Sequence, residues 1–203
     1  MLRARDALTV VSSAVVGGGL GRARGIVNVH VAKDFRLEEA EGAVSALARR
    51  RGVPSPYVGL LTSAWTERAE VRFVEAHGIT ALAVVTVGLT HAITAGHSPV
   101  VAAGVSTINT IVVVDAIPEA AALVNAVIAV DEVKTSSLMA AGIRSGERQP
   151  ATGTSTDAVV IAATGRGRRA RFGGPVSELG WVVARATREA MEAAITRWVK
   201  DNT

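Results

Sequence analysis

Ala69-Glu70-Val71-Arg72-Phe73-Val74-Glu75-Ala76-His77-Gly78-Ile79-Thr80-Ala81-Leu82-Ala83-Val84-Val85-Thr86-Val87 is the stretch whose reading decides the fold class. Two strand-like runs, Ala69 to Val74 and Ile79 to Val87, flank His77-Gly78, which is the pattern of a hairpin. Two strands therefore follow one another with no helix between them. Working back towards the amino terminus, Tyr57 to Ala64 is strand-like. Leu37 to Arg51 carries Leu37, Ala40, Val44 and Leu47 on one helical stripe, with Asp34 as its cap and Gly52 as its stop. Ile26 to Val31 alternates, with Val27, Val29 and Val31 on one face and Asn28 and His30 on the other. Leu8 to Val16 reads as a strand broken by Gly17-Gly18-Gly19.

Working forward, Val105 to Val114 is a β-branched run. Pro118 takes the favoured first-turn position of a helix that reaches about Met139. Gly142, Gly146 and Pro150 mark a loop. Thr156 to Thr164 and Ala170 to Phe172 are strands around an arginine-rich turn. A last helix starts near Ser177, its apolar stripe being Leu179, Val182, Val183, Ala186, Ala190 and Ile195. Strands that succeed one another without helices predict an α+β fold: a largely antiparallel or mixed sheet with three main helices packed on it, in one domain spanning 1–203.

Composition narrows the function classes. Hydrophobic residues make up 49% of the 203, yet only three Trp, one Tyr and three Phe are aromatic. The core must be built from Ala, Val, Leu and Ile. Apolar runs are interrupted by Asp115, Asp131, Glu132, Lys134 or Asp157 well before the ~20 residues a membrane span requires. No cleavage site follows the opening arginines, so the reading is a soluble, cytoplasmic protein without a membrane partner. With no cysteine, thiolate metal sites and a cysteine nucleophile are excluded. No histidine pair has helical ligand spacing, so no protein-bound metal is expected. The net charge is +4, and the cluster Arg166, Arg168, Arg169 and Arg171 has only Phe172 beside it for stacking. A solvated turn is the reading preferred to a nucleic-acid interface.

The densest polar patch is Ala151-Thr152-Gly153-Thr154-Ser155-Thr156-Asp157, which runs into the apolar Ala158-Val159-Val160-Ile161-Ala162. If extended, it places Thr152, Thr154 and Thr156 on one face and Ser155 and Asp157 on the other. Gly153 lets a ligand or another backbone approach.

Several segments, taken in order, carry a resemblance. They are Ser12-Ser13-Ala14 with Gly17-Gly18-Gly19, Asn28 with Val29 and Val31, Val58 to Ala64, and Val85 to Leu89. Gly104 with Thr107 to Ile111, Glu132-Val133-Lys134-Thr135, and Thr152-Gly153-Thr154 with Thr156-Asp157 complete them. From about residue 8 to residue 190 the chain resembles the adenosylcobinamide amidohydrolases, the CbiZ family of corrinoid salvage enzymes. That resemblance implies hydrolysis of the amide joining the corrin ring to its aminopropanol arm, giving adenosylcobyric acid for coenzyme B12 synthesis. The corrinoid is then substrate, and no further cofactor is implied. A non-catalytic corrinoid-binding protein is the alternative. Self-association is allowed by the sequence but not specified.

Amide hydrolysis needs a nucleophile or activated water, a donor for the oxyanion and an acid for the departing amine. Within the matching segments Glu132, Lys134 and Asp157 are the base candidates, and Thr135 and Thr154 supply hydroxyls. On a helix Glu132, Thr135 and Met139 share a face. Lys134 falls near the stripe of Val127, Val130 and Leu138, where burial would lower its pKa; the rival reading pairs it with Asp131. Ser12, Ser13, Gly18, Asn28, Asn109, Thr152 and Gly153 are the candidates for holding the substrate, because amide- and hydroxyl-bearing side chains with glycine-lined walls suit a ligand rich in peripheral amides.

Overall fold

The computed structural model describes residues 1–100 and 106–202. Gly104 and Val105, both used in the sequence reading, lie outside them. The element order is β1 (Leu2–Ser12), β2 (Gly19–His30), α1 (Ala40–Arg50), β3 (Tyr57–Thr62), β4 (Glu70–Ala76), β5 (Ile79–Val87), β6 (Ala92–Ile93), β7 (Ile108–Pro118), α2 (Ala120–Ala140), β8 (Gly153–Thr154), β9 (Ala158–Ala170) and α3 (Glu178–Asn202). Seven strands form one mixed sheet in the order β3-β2-β1-β9-β7-β5-β4, and β6 pairs with β8 separately. The architecture is α+β with three main helices, as the succession of strands predicts. The hairpin forms between β4 and β5, in unbroken register from Glu70 opposite Val85 to Ala76 opposite Ile79.

The two parallel contacts, β2 with β3 and β7 with β9, are the places where a helix intervenes in sequence: α1 in the first, α2 in the second. A parallel return needs a crossover, whereas the antiparallel pairs β1–β2 and β4–β5 are joined by short connections; β5 with β7 and β1 with β9 are antiparallel over longer separations. Against α2 and α3 the sheet turns Ala83, Val85, Val112, Val114, Ile161 and Ala163, all fully buried. Alternate residues face the other way: Val10, Ile111, Val160 and Ala162 share a cluster with Ile26, Val58 and Leu60. Residues of β3 meet residues of β7 although three strands separate them in the order, so the sheet is strongly curled. The amide of Asn109 on β7 spans the same gap, donating 2.8 Å hydrogen bonds to Asn28 Oδ1 on β2 and to the Leu61 carbonyl on β3. α1 covers the outside of the β2–β3 wing through Val44 and Ala48 on Val27 and Val29.

Four sequence expectations need correction. The first strand is Leu2–Ser12 rather than Leu8 to Val16; its amino-terminal half has a register shift between Arg3 and Leu8, which hides the alternation. Pro118 ends β7 and does not open α2: it pairs with Ala170 at the sheet's end, and the Glu119 N–H closes the pairing instead. The arginine-rich segment is no turn between strands. It is the second half of β9, re-aimed by a bulge at Gly165 and Gly167 (φ +71° and +77°), with Arg168 and Arg169 opposite Ala116 and Ile117. Asp34 caps nothing, since the first helical residues Leu37–Glu39 form a 3-10 turn whose N-cap is Arg36 without a side-chain bond.

α2 and α3 pack along each other and bury two hydroxyls, Ser137 and Thr187, that have no hydrogen-bond partner among the described residues. An unpartnered buried hydroxyl forfeits its hydration without recompense. Thr187→Val keeps the shape and removes that loss, so it should raise stability by about 1 kcal/mol, read as a higher urea midpoint at unchanged m-value.

Candidate functional site

The site is organised by one carboxylate. Asp157 stands just before β9, and its Oδ1 accepts the Ile108 N–H, the first of β7, at 2.9 Å and the Thr154 hydroxyl at 2.5 Å. Oδ2 accepts the Thr154 N–H at 3.0 Å and the Lys134 ammonium at 2.9 Å. The sequence reading put Thr154 and Asp157 on opposite faces of an extended segment. The chain extends only at Gly153–Thr154 and then turns, because the carboxylate bonds back to the backbone three residues earlier, a local alternative to a strand.

Lys134 on α2 is buried, and its ammonium also reaches Asp131 at 2.6 Å. Burial alone would depress its pKa, but the charges of Asp157 and Asp131 and their hydrogen bonds outweigh that, and the ammonium titrates above the ordinary lysine value of 10.5. The expected lowering is therefore reversed. A lysine held this firmly in its charged form is a fixed cation and not a proton acceptor. Gly153 packs directly over the pair: a β-carbon there would collide with Asp157 Oδ2 and come within 3.1 Å of Lys134 Nζ. What approaches Gly153 is thus the chain's own ion pair.

Above this pair opens a groove of about 650 Å³ between α2 and the ends of β1 and β9. Its walls are Val127, Ile128, Met139 and Val159; its polar groups are Ser13, Asp131, Glu132, Lys134, Thr135, Ser136 and Asp157. Ser13 Oγ accepts the Val159 N–H at 3.0 Å, which leaves its hydroxyl hydrogen without an acceptor among the described residues. The Glu132 carboxylate has neither an ion pair nor a hydrogen bond among them. Thr135 donates to the Thr152 carbonyl at 3.3 Å.

Of the residues singled out from sequence, the fold brings Ser13, Glu132, Lys134, Thr135 and Asp157 into this groove. Gly153 and the buried Thr154 sit behind the ion pair as its support. Thr152 faces away, its hydroxyl accepting the Ala95 N–H at 2.9 Å. Ser12 is buried and accepts the Ala14 N–H at 3.0 Å. Gly18 faces the Ala14 carbonyl of its own loop. Asn28 and Asn109 belong to the bond across the curled sheet, with Thr86 accepting from Asn28 at 3.1 Å. The sequence reading missed Val124 and Ile128. With Asp131, Thr135 and Met139 they recur at helical spacing on the outer side of α2, and Val124, Ile128 and Met139 remain 52%, 50% and 48% exposed. The available signal was that α2 carries large apolar residues, Val124, Ile128 and Met139, outside the stripe that its buried side needs.

Two measurements test the ion pair. Lys134→Met strands the Asp157 charge, whose side chain is only 11% exposed, and should destabilise the protein by about 3–5 kcal/mol; adding Asp157→Asn should restore part of that loss in a double-mutant cycle. The folded pKa of Lys134 is raised, so its contribution is fully present below 10.5 and disappears as pH rises through the folded value. Wild type should accordingly lose more stability than the Lys134→Met/Asp157→Asn variant on going from pH 9 into that alkaline range.

The comparisons with known proteins come down on one family. The family model described as CbiZ, adenosylcobinamide amidohydrolase, matches residues 1–203. A search of curated proteins finds no match to the chain. Matched over its whole length, the chain belongs to the adenosylcobinamide amidohydrolase family.

Proposed function

We propose that this protein hydrolyses adenosylcobinamide in the α2 groove, giving adenosylcobyric acid and 1-amino-2-propanol for corrinoid salvage in the cytoplasm. The observation that carries the reading, beside family membership, is the second apolar face of α2. A helix that is apolar all round is ordinarily buried on all sides. Here Ile128 and Met139 line the groove, with Val124 exposed one turn earlier, beside the Glu132 carboxylate, which has no partner among the described residues, and the Ser13 hydroxyl, whose hydrogen has no acceptor among them. A broad apolar ring edged with amides would cover the stripe and bring one of those amides against the polar end. The corrinoid is the substrate, and the chain's own side chains suffice for the chemistry.

In this reading Glu132 takes a proton from water as the water oxygen attacks the amide carbon. The Ser13 hydroxyl donates to the oxyanion that forms, assisted by the positive charge of Lys134. Glu132 then returns the proton to the nitrogen as the carbon–nitrogen bond breaks, so the amine leaves neutral and the carboxyl group stays on the ring. Asp157 takes no part in proton transfer, because all its acceptor positions are engaged; it positions Lys134. Thr135 and Thr154 hold the backbone around it.

Incubation of purified protein with adenosylcobinamide, followed by chromatographic separation of the corrinoids, tests the reaction. Tight binding with a spectral shift but no cleavage would instead make the protein a corrinoid binder. Removing a general base typically costs ~10²–10⁴-fold in rate. Glu132→Gln, at an exposed position without partners, should show a loss of this size at unchanged thermal stability. Ser13→Ala should lower kcat by ~10²-fold, as expected for a lost oxyanion donor, with substrate affinity nearly unchanged. Near-normal turnover in both variants would remove the reaction from this groove.

A further inference from the structure

The two edges of the seven-stranded sheet are treated differently. At the β3 edge, Val16 crosses back and exchanges two backbone hydrogen bonds with Gly59, at 3.2 and 2.9 Å. The β4 edge has no such cover among the described residues. It is seven residues long and runs without a bulge, proline or lysine, three of the devices that ordinarily keep an edge from pairing, though Glu70, Arg72 and Glu75 are charged. α3 packs on one face of β4, while on the other Val71 and Phe73 are 51% and 64% exposed. The strand's charges on the α3 side are already engaged: Arg72 pairs with Glu70 at 2.9 Å, and Arg197 of α3 pairs with the same carboxylate.

We propose that β4 is the interface of a homodimer, in which a second copy of this chain adds its own β4 antiparallel across a two-fold axis. The charge pattern is compatible with a second copy, and full overlap sets the register. With the axis at Phe73, all seven residues overlap. Phe73 meets its mate, Val71 faces Glu75, Arg72 faces Val74 and Glu70 faces Ala76, so no like charges oppose one another. An axis at Arg72 would set two guanidiniums face to face. Self-pairing of this kind closes, consuming both open edges and leaving none to propagate. The groove, at β1 and β9, lies strands away from β4 and stays open.

The chain has no cysteine, so a single introduced thiol reports on the axis unambiguously. Facing residues of an antiparallel pair have Cα atoms about 4.5–5.5 Å apart, within the about 4.4–6.8 Å a disulfide spans. Phe73→Cys should oxidise to a reducible covalent dimer, and Val124→Cys on α2 should not. Wild type should sediment as a dimer across the micromolar range, and Phe73→Lys as a monomer with an unchanged circular dichroism spectrum. A monomeric wild type would overturn the proposal. So would a dimer that survives Phe73→Lys and gives no cross-link through residue 73.

Discussion

The arrangement around the groove depends on the Asp157 carboxylate and its four donors. One carboxylate joins the first N–H of β7, the turn after β8 and the ammonium of α2, three elements with no covalent reason to meet. A buried anion is costly unless its acceptor sites are filled, and a buried cation is costly unless it is paired. Each solves the other's problem, and the solution holds α2 at a fixed height over the end of the sheet. The two carboxylates on Lys134 are not equivalent. Asp131 is more than half exposed and has water to turn to, whereas Asp157 is enclosed.

That lock decides which groups remain free for chemistry. From the sequence Lys134 and Asp157 are both base candidates, and their pairing engages both. On the proposed mechanism rigidity has a use, since a positive charge that cannot wander is a better oxyanion partner than one on a mobile side chain. The groove carboxylate left without a partner is Glu132, one residue beyond Asp131 and on the helix face that the lock points towards the opening.

How much of this was legible beforehand follows from what each feature depends on. The β4–β5 hairpin and the stripe of α3 are periodicities within one element, and they could be read directly. The grouping of Glu132, Thr135 and Met139 on one face of α2 was legible for the same reason. The β9 bulge was misread because glycines at positive φ serve turns and bulges alike, and only the neighbouring strand distinguishes them. Pro118 satisfied the rule for a helix start, but it was equally suited to a strand end where no donor is needed. The bond between Asn28 and Asn109 joins positions 81 apart and exists because the sheet curls, a property of no single segment. The direction of the Lys134 shift required knowing that Asp157 arrives beside it.

α2 sets a limit on what the groove can hold. One side of the helix, with Leu123, Ala126, Val130 and Leu138, is fully buried against the sheet and α3. The other carries Val124, Ile128 and Met139, with Asp131 and Thr135 between the last two, over about 22 Å at 1.5 Å per residue. A small amide would cover one turn of that stripe and leave the rest in water, gaining little over binding nowhere. A wide, stiff ligand gains from every turn it covers, and its stiffness converts contact with Val124 and Ile128 into placement of a bond near Glu132 and Thr135. On the proposed reading, these apolar side chains of α2 do more than add affinity: they favour large ring systems over short amides, while the charges of its carboxy-terminal half hold the position of the bond to be cut.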